Sequence, residues 1–350
     1  MEPRIGLALG SGSARGLAHI GVLEVLREEG IPIHCIAGTS IGAVIGGLWA
    51  SNGIEAYKQL LQKLNWWRVM GFFEPALSKS GIFGGSKLVN SLKELTHEPK
   101  IEHLRLRFVA VATDADTGQE VRLFRGDLVQ GMRASFAIPG LFTPVRWDDR
   151  WLVDGGISAP VPIEAAKALG ADRVIAINLN TRSGLHASAT TGARHGEDTA
   201  PVALGIDDTI FMDAPMFHSA MEIDPMSSVD MVLPLEEMLA EGRGTDKPPQ
   251  PDAGHALAEE SAAGGEEWAA HLLRRQKGER PPGLAYTLAR SIDWMQVRLA
   301  EFQLAQSAPD LVIEPQCGHV KLFDYDKSKE VIEAGRAATL AALPAIRAWL

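Results

Sequence analysis

Cysteine is scarce in this chain, which has only Cys35 and Cys317 among its 350 residues. Two cysteines, one of them in a predicted strand, form no disulfide framework and are typical of a reducing compartment. Basic residues are also few, because 34 lysines and arginines stand against 44 acidic residues and leave a net charge of −10. We therefore expect no nucleic-acid partner, since phosphate binding needs clustered lysine and arginine.

Long apolar runs are missing as well. No window approaches the roughly 18 apolar residues that a membrane-spanning helix needs. The apolar stretch near the start is too short for a signal peptide, so we expect a cytoplasmic protein. The negative charge disfavours electrostatic docking on anionic lipid, so any peripheral contact with the inner face of the membrane would rest on exposed apolar side chains.

The order of the predicted elements indicates an α/β protein. Residues 4–9 form an apolar run that is followed by glycine-rich sequence and a helical pattern ending at Gly30, and residues 33–37 and 41–50 repeat this strand–helix order. Further strands are predicted at 107–112, 120–124, 151–153, 173–179 and 311–314, and further helices at 288–302 and 328–349. The alternation favours a mainly parallel sheet covered by helices.

The pentapeptide Gly38-Thr39-Ser40-Ile41-Gly42 lies between a predicted strand and a predicted helix. A nucleophilic serine requires this context, because a tight, strained turn projects its hydroxyl from the sheet edge while the glycines permit close backbone approach. The dipole of the following helix would stabilise the Ser40 alkoxide. A strand-to-helix turn without a catalytic role would show the same residues, so the pentapeptide alone does not identify a nucleophile.

The heptapeptide Gly10-Ser11-Gly12-Ser13-Ala14-Arg15-Gly16 follows the first predicted strand. Such a loop can direct several backbone N–H groups toward one point, which suits an oxyanion or a phosphate. Its glycine spacing approximates a dinucleotide-binding turn, but that turn also needs an acidic residue at the end of the second strand. Ser40 follows that strand instead, so an oxyanion site without a nucleotide cofactor is favoured.

The tripeptide Asp154-Gly155-Gly156 comes directly after the apolar residues 151–153. Its carboxylate therefore stands at the C-terminal end of a strand, and ligands of open α/β sheets bind at this edge. Aspartate beside glycine is also common in turns. Together with Ser40 and the glycine-rich loop, Asp154 becomes the candidate general base.

These three motifs, in this order, resemble those of the patatin-like phospholipase family, in particular its short bacterial members with a Gly-Ser-Gly-x-Ala-Arg-Gly loop. The resemblance covers about residues 4–180 and 284–337. It includes residues 112–118, 133–140 and 293–311. It implies a three-layer α/β/α patatin-like fold with a mainly parallel central sheet.

The resemblance also implies roles for the residues of the motifs. Ser40 would attack an ester carbonyl, and Asp154 would take its proton and later activate water. The amides of Gly12, Ser13 and Ala14 would form the oxyanion hole. The loop and the turns would be supported by Gly10, Ser11, Arg15, Gly16, Gly38, Gly42, Gly155 and Gly156. Arg15 would brace the loop or meet a phosphate, and Ser11 and Ser13 depart from the glycines that many members carry at these positions.

The function implied is that of a lipid acyl hydrolase, acting on phospholipid or another carboxylic ester through an acyl-serine intermediate, without metal or other cofactor. Two alternatives stay open. One is a non-catalytic lipid-binding or regulatory protein on the same fold. The other is an α/β-hydrolase esterase, because Ser40, Asp154 and His319 follow the chain order of that triad.

The composition divides the chain into three parts. Residues 1–180 would form the catalytic core and residues 283–350 its C-terminal part. Residues 181–282 form an insertion that is rich in glycine, alanine, serine, proline and acidic residues, a composition typical of disordered spacers. Its first half also carries methionine and phenylalanine, which favours a mobile apolar cover or a lipid-adhesive surface as the alternative.

Overall fold

The structure, a computed structural model, describes residues 3–63, 81–181, 284–322 and 324–350. Of these, the residues up to 181 and from 287 to 350 belong to one compact unit. Except for Thr181, the predicted insertion lies outside the described residues, and its two interpretations stay predictions.

Ten strands and eight α-helices make up the described part of the chain. The strands are β1 Ile5–Leu9, β2 Cys35–Thr39, β3 Gly81–Phe83, β4 Arg107–Asp114, β5 Glu120–Leu123, β6 Gly140–Phe142, β7 Val145–Trp147, β8 Arg150–Asp154, β9 Arg173–Ile177 and β10 Leu311–Ile313. The helices are α1 Ala18–Glu28, α2 Ile41–Ala50, α3 Ile54–Lys63, α4 Ser86–Leu95, α5 Leu128–Ser135, α6 Ile163–Ala168, α7 Leu284–Ser307 and α8 Ser328–Arg347. Short 3-10 helices cover Ser13–Leu17, Ile101–His103, Gly155–Ile157 and Tyr325–Lys327.

The main sheet is mixed. Its order is β10-β9-β1-β2-β4-β8-β7, with β5 also paired to β4. The pairings among β10, β9, β1, β2 and β4 are parallel. Those of β4 with β5, β4 with β8 and β7 with β8 are antiparallel. The predicted α/β class is confirmed, and an antiparallel extension is added to the parallel strands.

Helices cover both faces of this sheet because the strand side chains alternate between them. On one face, Ala8 and Ala37 pack in a buried cluster with Ala166 of α6 and Ala300 of α7. On the other, α2 lies so close that a Cβ atom on Gly46 would be 2.8 Å from Ile36. This is the three-layer arrangement expected from the sequence.

Strands β2 and β8 occupy the same edge of β4. Val111 pairs with Thr39 of β2 and, across its other edge, with β5. The next residue, Ala112, likewise pairs with β5 across one edge and with Asp154 of β8 across the other. The carboxyl ends of β2 and β8 therefore meet head to head. We expected Asp154 at the edge of a parallel sheet, whereas the strand that carries it runs antiparallel to β4.

Candidate active site

Ser40 occupies the turn between β2 and α2 with φ 57° and ψ −122°. A positive φ is unusual for a residue with a side chain and indicates a turn held by its surroundings. The two glycines of the motif permit the turn. A Cβ atom on Gly38 would lie 2.4 Å from the Gly42 carbonyl oxygen, and one on Gly42 would lie 2.2 Å from the Leu9 carbonyl oxygen.

Ser135, the last residue of α5, holds this turn in place. The Ser40 amide donates to Ser135 Oγ at 2.8 Å, and Ser135 Oγ in turn donates to the Val111 carbonyl. Ser135 is fully buried. Reasoning from the sequence did not single it out, because a serine at the end of an amphipathic helix carries no signal for this contact.

The Ser40 hydroxyl and the Asp154 carboxylate are in direct contact. Ser40 Oγ donates to Asp154 Oδ2 at 2.7 Å. The Gly156 amide donates to the other oxygen, Oδ1, at 2.7 Å, and the Asp154 amide donates to the Ala137 carbonyl at 2.9 Å. Both oxygens of the carboxylate are thus oriented, and one of them faces the serine.

Burial raises the pKa of Asp154 from 3.8 to about 6, against the opposite effect of the hydrogen bonds from Ser40 and Gly156. The residue is only 2% exposed, so its charged form loses hydration. A carboxylate with a pKa near 6 is ionised at neutral pH yet binds a proton more readily than an ordinary one. This is a property of a general base.

The glycine-rich loop lies against the Ser40 turn. β1 pairs with β2 in the register Leu9 to Gly38, so the loop and the Ser40 turn leave the sheet at the same edge. A Cβ atom on Gly16 would be 2.1 Å from Ile41 Cγ2. The loop therefore needs glycine at position 16 to pack on the start of α2.

Most amides of the loop already have acceptors. The amides of Gly10, Ser11 and Ala14 donate to the carbonyls of Ile177 at 3.1 Å, Pro160 at 2.8 Å and Leu322 at 3.2 Å. Within the described ranges, no acceptor contacts the amides of Gly12 and Ser13. The resemblance implies three oxyanion donors. The Ala14 amide already donates to the carbonyl of Leu322, so the amides of Gly12 and Ser13 are the two that could bind an oxyanion.

Two buried side chains brace the loop. Arg15, 7% exposed, donates from Nε to the Gly12 carbonyl at 3.4 Å and lies 3.6 Å from an Asp293 carboxylate oxygen. His19 Nε2 lies 2.8 Å from the Gly10 carbonyl. Burial lowers the pKa of His19 to about 4, so the neutral ring donates from Nε2 to this carbonyl.

His319 does not join the other two residues of the alternative triad. Its Nε2 bonds to Glu330, and its side chain is 43% exposed. The direct bond between Ser40 and Asp154 leaves no position for an imidazole between them. The geometry therefore disfavours the α/β-hydrolase mechanism.

The described residues hold neither a metal-binding cluster nor a membrane-spanning helix. They contain no cluster of three histidine, cysteine or acidic side chains that could hold a metal ion. No described helix combines the length and the apolar character needed to cross a membrane.

Known proteins that resemble this chain are found by family model, by sequence and by structure. The family model described as patatin-like phospholipase matches residues 7–167. An uncharacterized NTE family protein of Mycobacterium tuberculosis is 32% identical over 352 residues, which cover 98% of this chain and 92% of that protein. Patatin-like phospholipase domain-containing protein 6 of Homo sapiens is 35% identical over 186 residues, 51% of this chain and 13% of that protein. Among solved structures, VipD from Legionella pneumophila aligns with 14% identity and a TM-score of 0.34, covering 55% of this chain and 54% of that one.

Proposed function

Because the chain belongs to the patatin-like phospholipase family, whose members are generally lipid hydrolases, we propose that it hydrolyses lipid esters with Ser40 as nucleophile and Asp154 as general base. The observation that carries this proposal is the 2.7 Å hydrogen bond between Ser40 Oγ and Asp154 Oδ2 in a buried site. A serine hydroxyl is a poor nucleophile without such a base.

In the first step, Ser40 Oγ bonds to the ester carbonyl carbon while its proton passes to Asp154. The carbonyl oxygen becomes an oxyanion, which the amides of Gly12 and Ser13 would hold. The carbon–oxygen bond to the leaving alcohol then breaks, and Asp154 returns the proton to that oxygen. An acyl-serine remains. Each amide that holds the oxyanion should increase the rate of this step by about a hundredfold to a thousandfold.

In the second step, a water molecule takes the place of the alcohol. Asp154 accepts one of its protons as the water oxygen bonds to the acyl carbon. The bond to Ser40 Oγ breaks, Asp154 returns the proton to Oγ, and the carboxylic acid leaves. The same carboxylate thus serves both halves of the reaction, which suits a group whose pKa is about 6.

Two exposed apolar side chains support lipid as the substrate class. Ile157, in the turn after the Asp154 motif, is 43% exposed, and Met295 on α7 is 62% exposed. They are the sequence neighbours of Gly156 and Gln296, and a Cβ atom on Gly156 would lie 2.4 Å from Gln296 Nε2. We propose that they meet acyl chains or a lipid surface, and that the protein is a peripheral enzyme of the cytoplasm.

The proposal is tested by labelling with a fluorophosphonate probe and by assays on phospholipid, lysophospholipid, neutral-lipid and thioester substrates. We expect labelling of the wild type but not of Ser40→Ala, and loss of hydrolysis in Ser40→Ala and Asp154→Asn with no further loss in the double variant. Ser51→Ala, at the far end of α2, is the matched control and keeps its turnover. Lipid binding without labelling or turnover would instead establish the non-catalytic alternative.

A further inference from the structure

The side-chain amide of Gln296 lies between the two loops that carry the proposed catalytic groups. Its Oε1 accepts a hydrogen bond from the Ser11 hydroxyl at 3.1 Å, on the glycine-rich loop. On its other side, a Cβ atom on Gly156 would lie 2.4 Å from Gln296 Nε2 and 3.0 Å from Asp154 Oδ1. Gln296 Nε2 and Asp154 Oδ1 therefore lie close to the same position beside Gly156.

Hydrogen-bond directions establish which end of the Gln296 amide faces Asp154. Asn180 Nδ2 lies 3.3 Å from the Ser11 carbonyl oxygen, which can only accept, so this atom of Asn180 must be the nitrogen. The same nitrogen donates to Ser11 Oγ at 2.9 Å. The Ser11 proton is then free for Gln296 Oε1, and the NH2 group of Gln296 faces Gly156 and Asp154.

This NH2 group is available to a ligand. Among the residues that the structure describes, Nε2 of Gln296 has no acceptor, and the side chain is half-buried. A fixed, unpaired donor next to a carboxylate is suited to hold an oxygen atom that also contacts the carboxylate. In the proposed reaction an oxygen exchanges a proton with this carboxylate twice, first that of the leaving alcohol and then that of the attacking water.

We propose, on the basis of the proposed function, that Gln296 is a further catalytic residue whose Nε2 donates to the oxygen that exchanges a proton with Asp154. During acylation this oxygen gains negative charge as its bond to the acyl carbon breaks, and the Gln296 donor stabilises it until Asp154 returns the proton. During deacylation the same donor orients the water. The bond stabilises the transition state more than the bound ester.

Gln303, two turns along the same helix, provides the matched control. Its Nε2 donates to the Ser158 carbonyl at 3.1 Å, and its Oε1 accepts from the Val161 amide at 3.3 Å. Both ends of this amide are therefore occupied by backbone. Gln303→Ala should lower the melting temperature and leave kcat within about threefold of the wild type.

Gln296→Ala should lower kcat on a soluble ester by about tenfold to a hundredfold, the effect of one lost hydrogen bond to a charged oxygen, while KM changes by less than about threefold. Gln296→Glu keeps the acceptor for Ser11 but places a second carboxylate beside Asp154. It should raise the pKa of Asp154 by about one unit, since a like charge disfavours ionisation. Gln303→Glu should change this pKa much less.

The measurements are steady-state kinetics and a carbon-13 titration of the Asp154 carboxyl, with circular dichroism to confirm folding. Equal behaviour of the Gln296 and Gln303 variants in kcat and in the Asp154 pKa would overturn this inference. If the wild type is active, Ser40→Ala is inactive and Gln296→Ala keeps full kcat, then only the inference fails. An inactive wild type would overturn the proposed function as well.

Discussion

The hydroxyl of Ser40 reaches the carboxylate of Asp154 because β2 and β8 end head to head on one edge of β4. Thr39 pairs with Val111 and Asp154 pairs with the next residue, Ala112. Both groups are therefore placed by strand pairing rather than by a mobile loop. Such placement keeps the pair oriented before substrate binds, which lowers the entropy lost in the reaction.

The pH dependence of the reaction should report the ionisation of Asp154. A protonated carboxyl cannot accept the Ser40 proton, so kcat/KM on a soluble ester should fall tenfold per pH unit below a pKa of about 6. The rate is measured from pH 4.5 to 8 with a substrate that does not ionise in this range. A plateau that extends down to pH 4.5 would contradict Asp154 as the base.

Removal of the Asp154 charge should stabilise the fold at neutral pH. The pKa of this group rises from 3.8 to about 6 on folding, so the folded state holds its proton more strongly. The free energy of unfolding of the wild type should therefore decrease as pH rises from about 4 to about 6, by up to roughly 3 kcal/mol from this group. Because asparagine does not ionise, the free energy of unfolding of Asp154→Asn should not show this decrease.

The measurement is urea denaturation of both proteins at pH 4.5 and pH 8. We expect Asp154→Asn to be more stable than the wild type at pH 8, with a smaller difference at pH 4.5. If Asp154→Asn were no more stable than the wild type at pH 8, the buried carboxylate would not destabilise the fold.

Ser135 should support both the strained turn and the activity. Replacement of Ser135 by alanine leaves the Ser40 amide buried without its acceptor, which costs about 1–3 kcal/mol in free energy of unfolding. The same loss lets the Ser40 turn relax, so we expect kcat to fall by about tenfold or more. Denaturation and turnover are compared with Ser51→Ala, a buried serine that bonds to the Leu48 carbonyl. Similar values for the two variants would show that Ser135 has no special role.

His319 should be dispensable for hydrolysis. Because its side chain bonds to Glu330 and is 43% exposed, His319→Ala should keep kcat within about tenfold of the wild type. A triad base would instead contribute several orders of magnitude. A collapse of turnover in a folded His319→Ala protein would restore the α/β-hydrolase alternative.

Local sequence was sufficient to predict the elements that carry the nucleophile and the loop. The strand before Ser40 and the helix after it are adjacent in sequence, and the glycines on either side are needed by the turn itself. Apolar and small-residue runs likewise predicted β1 and α2, and α8 begins at the predicted residue 328, since each pattern is contained within one element. Strand β2 was predicted at 33–37 and lies two residues later, at Cys35–Thr39. These predictions depend on residues close together in the chain.

Long-range pairing decided the rest. The antiparallel direction of β8, the engagement of the Ala14 amide by Leu322, and the contact of Gln296 with Ser11 all join residues that are distant in sequence. Such contacts depend on how strands pair and how helices pack once the chain has folded, and neither spacing nor composition encodes them locally. Sequence alone therefore determined which residue types could do the chemistry, while the tertiary structure decided which of their atoms meet.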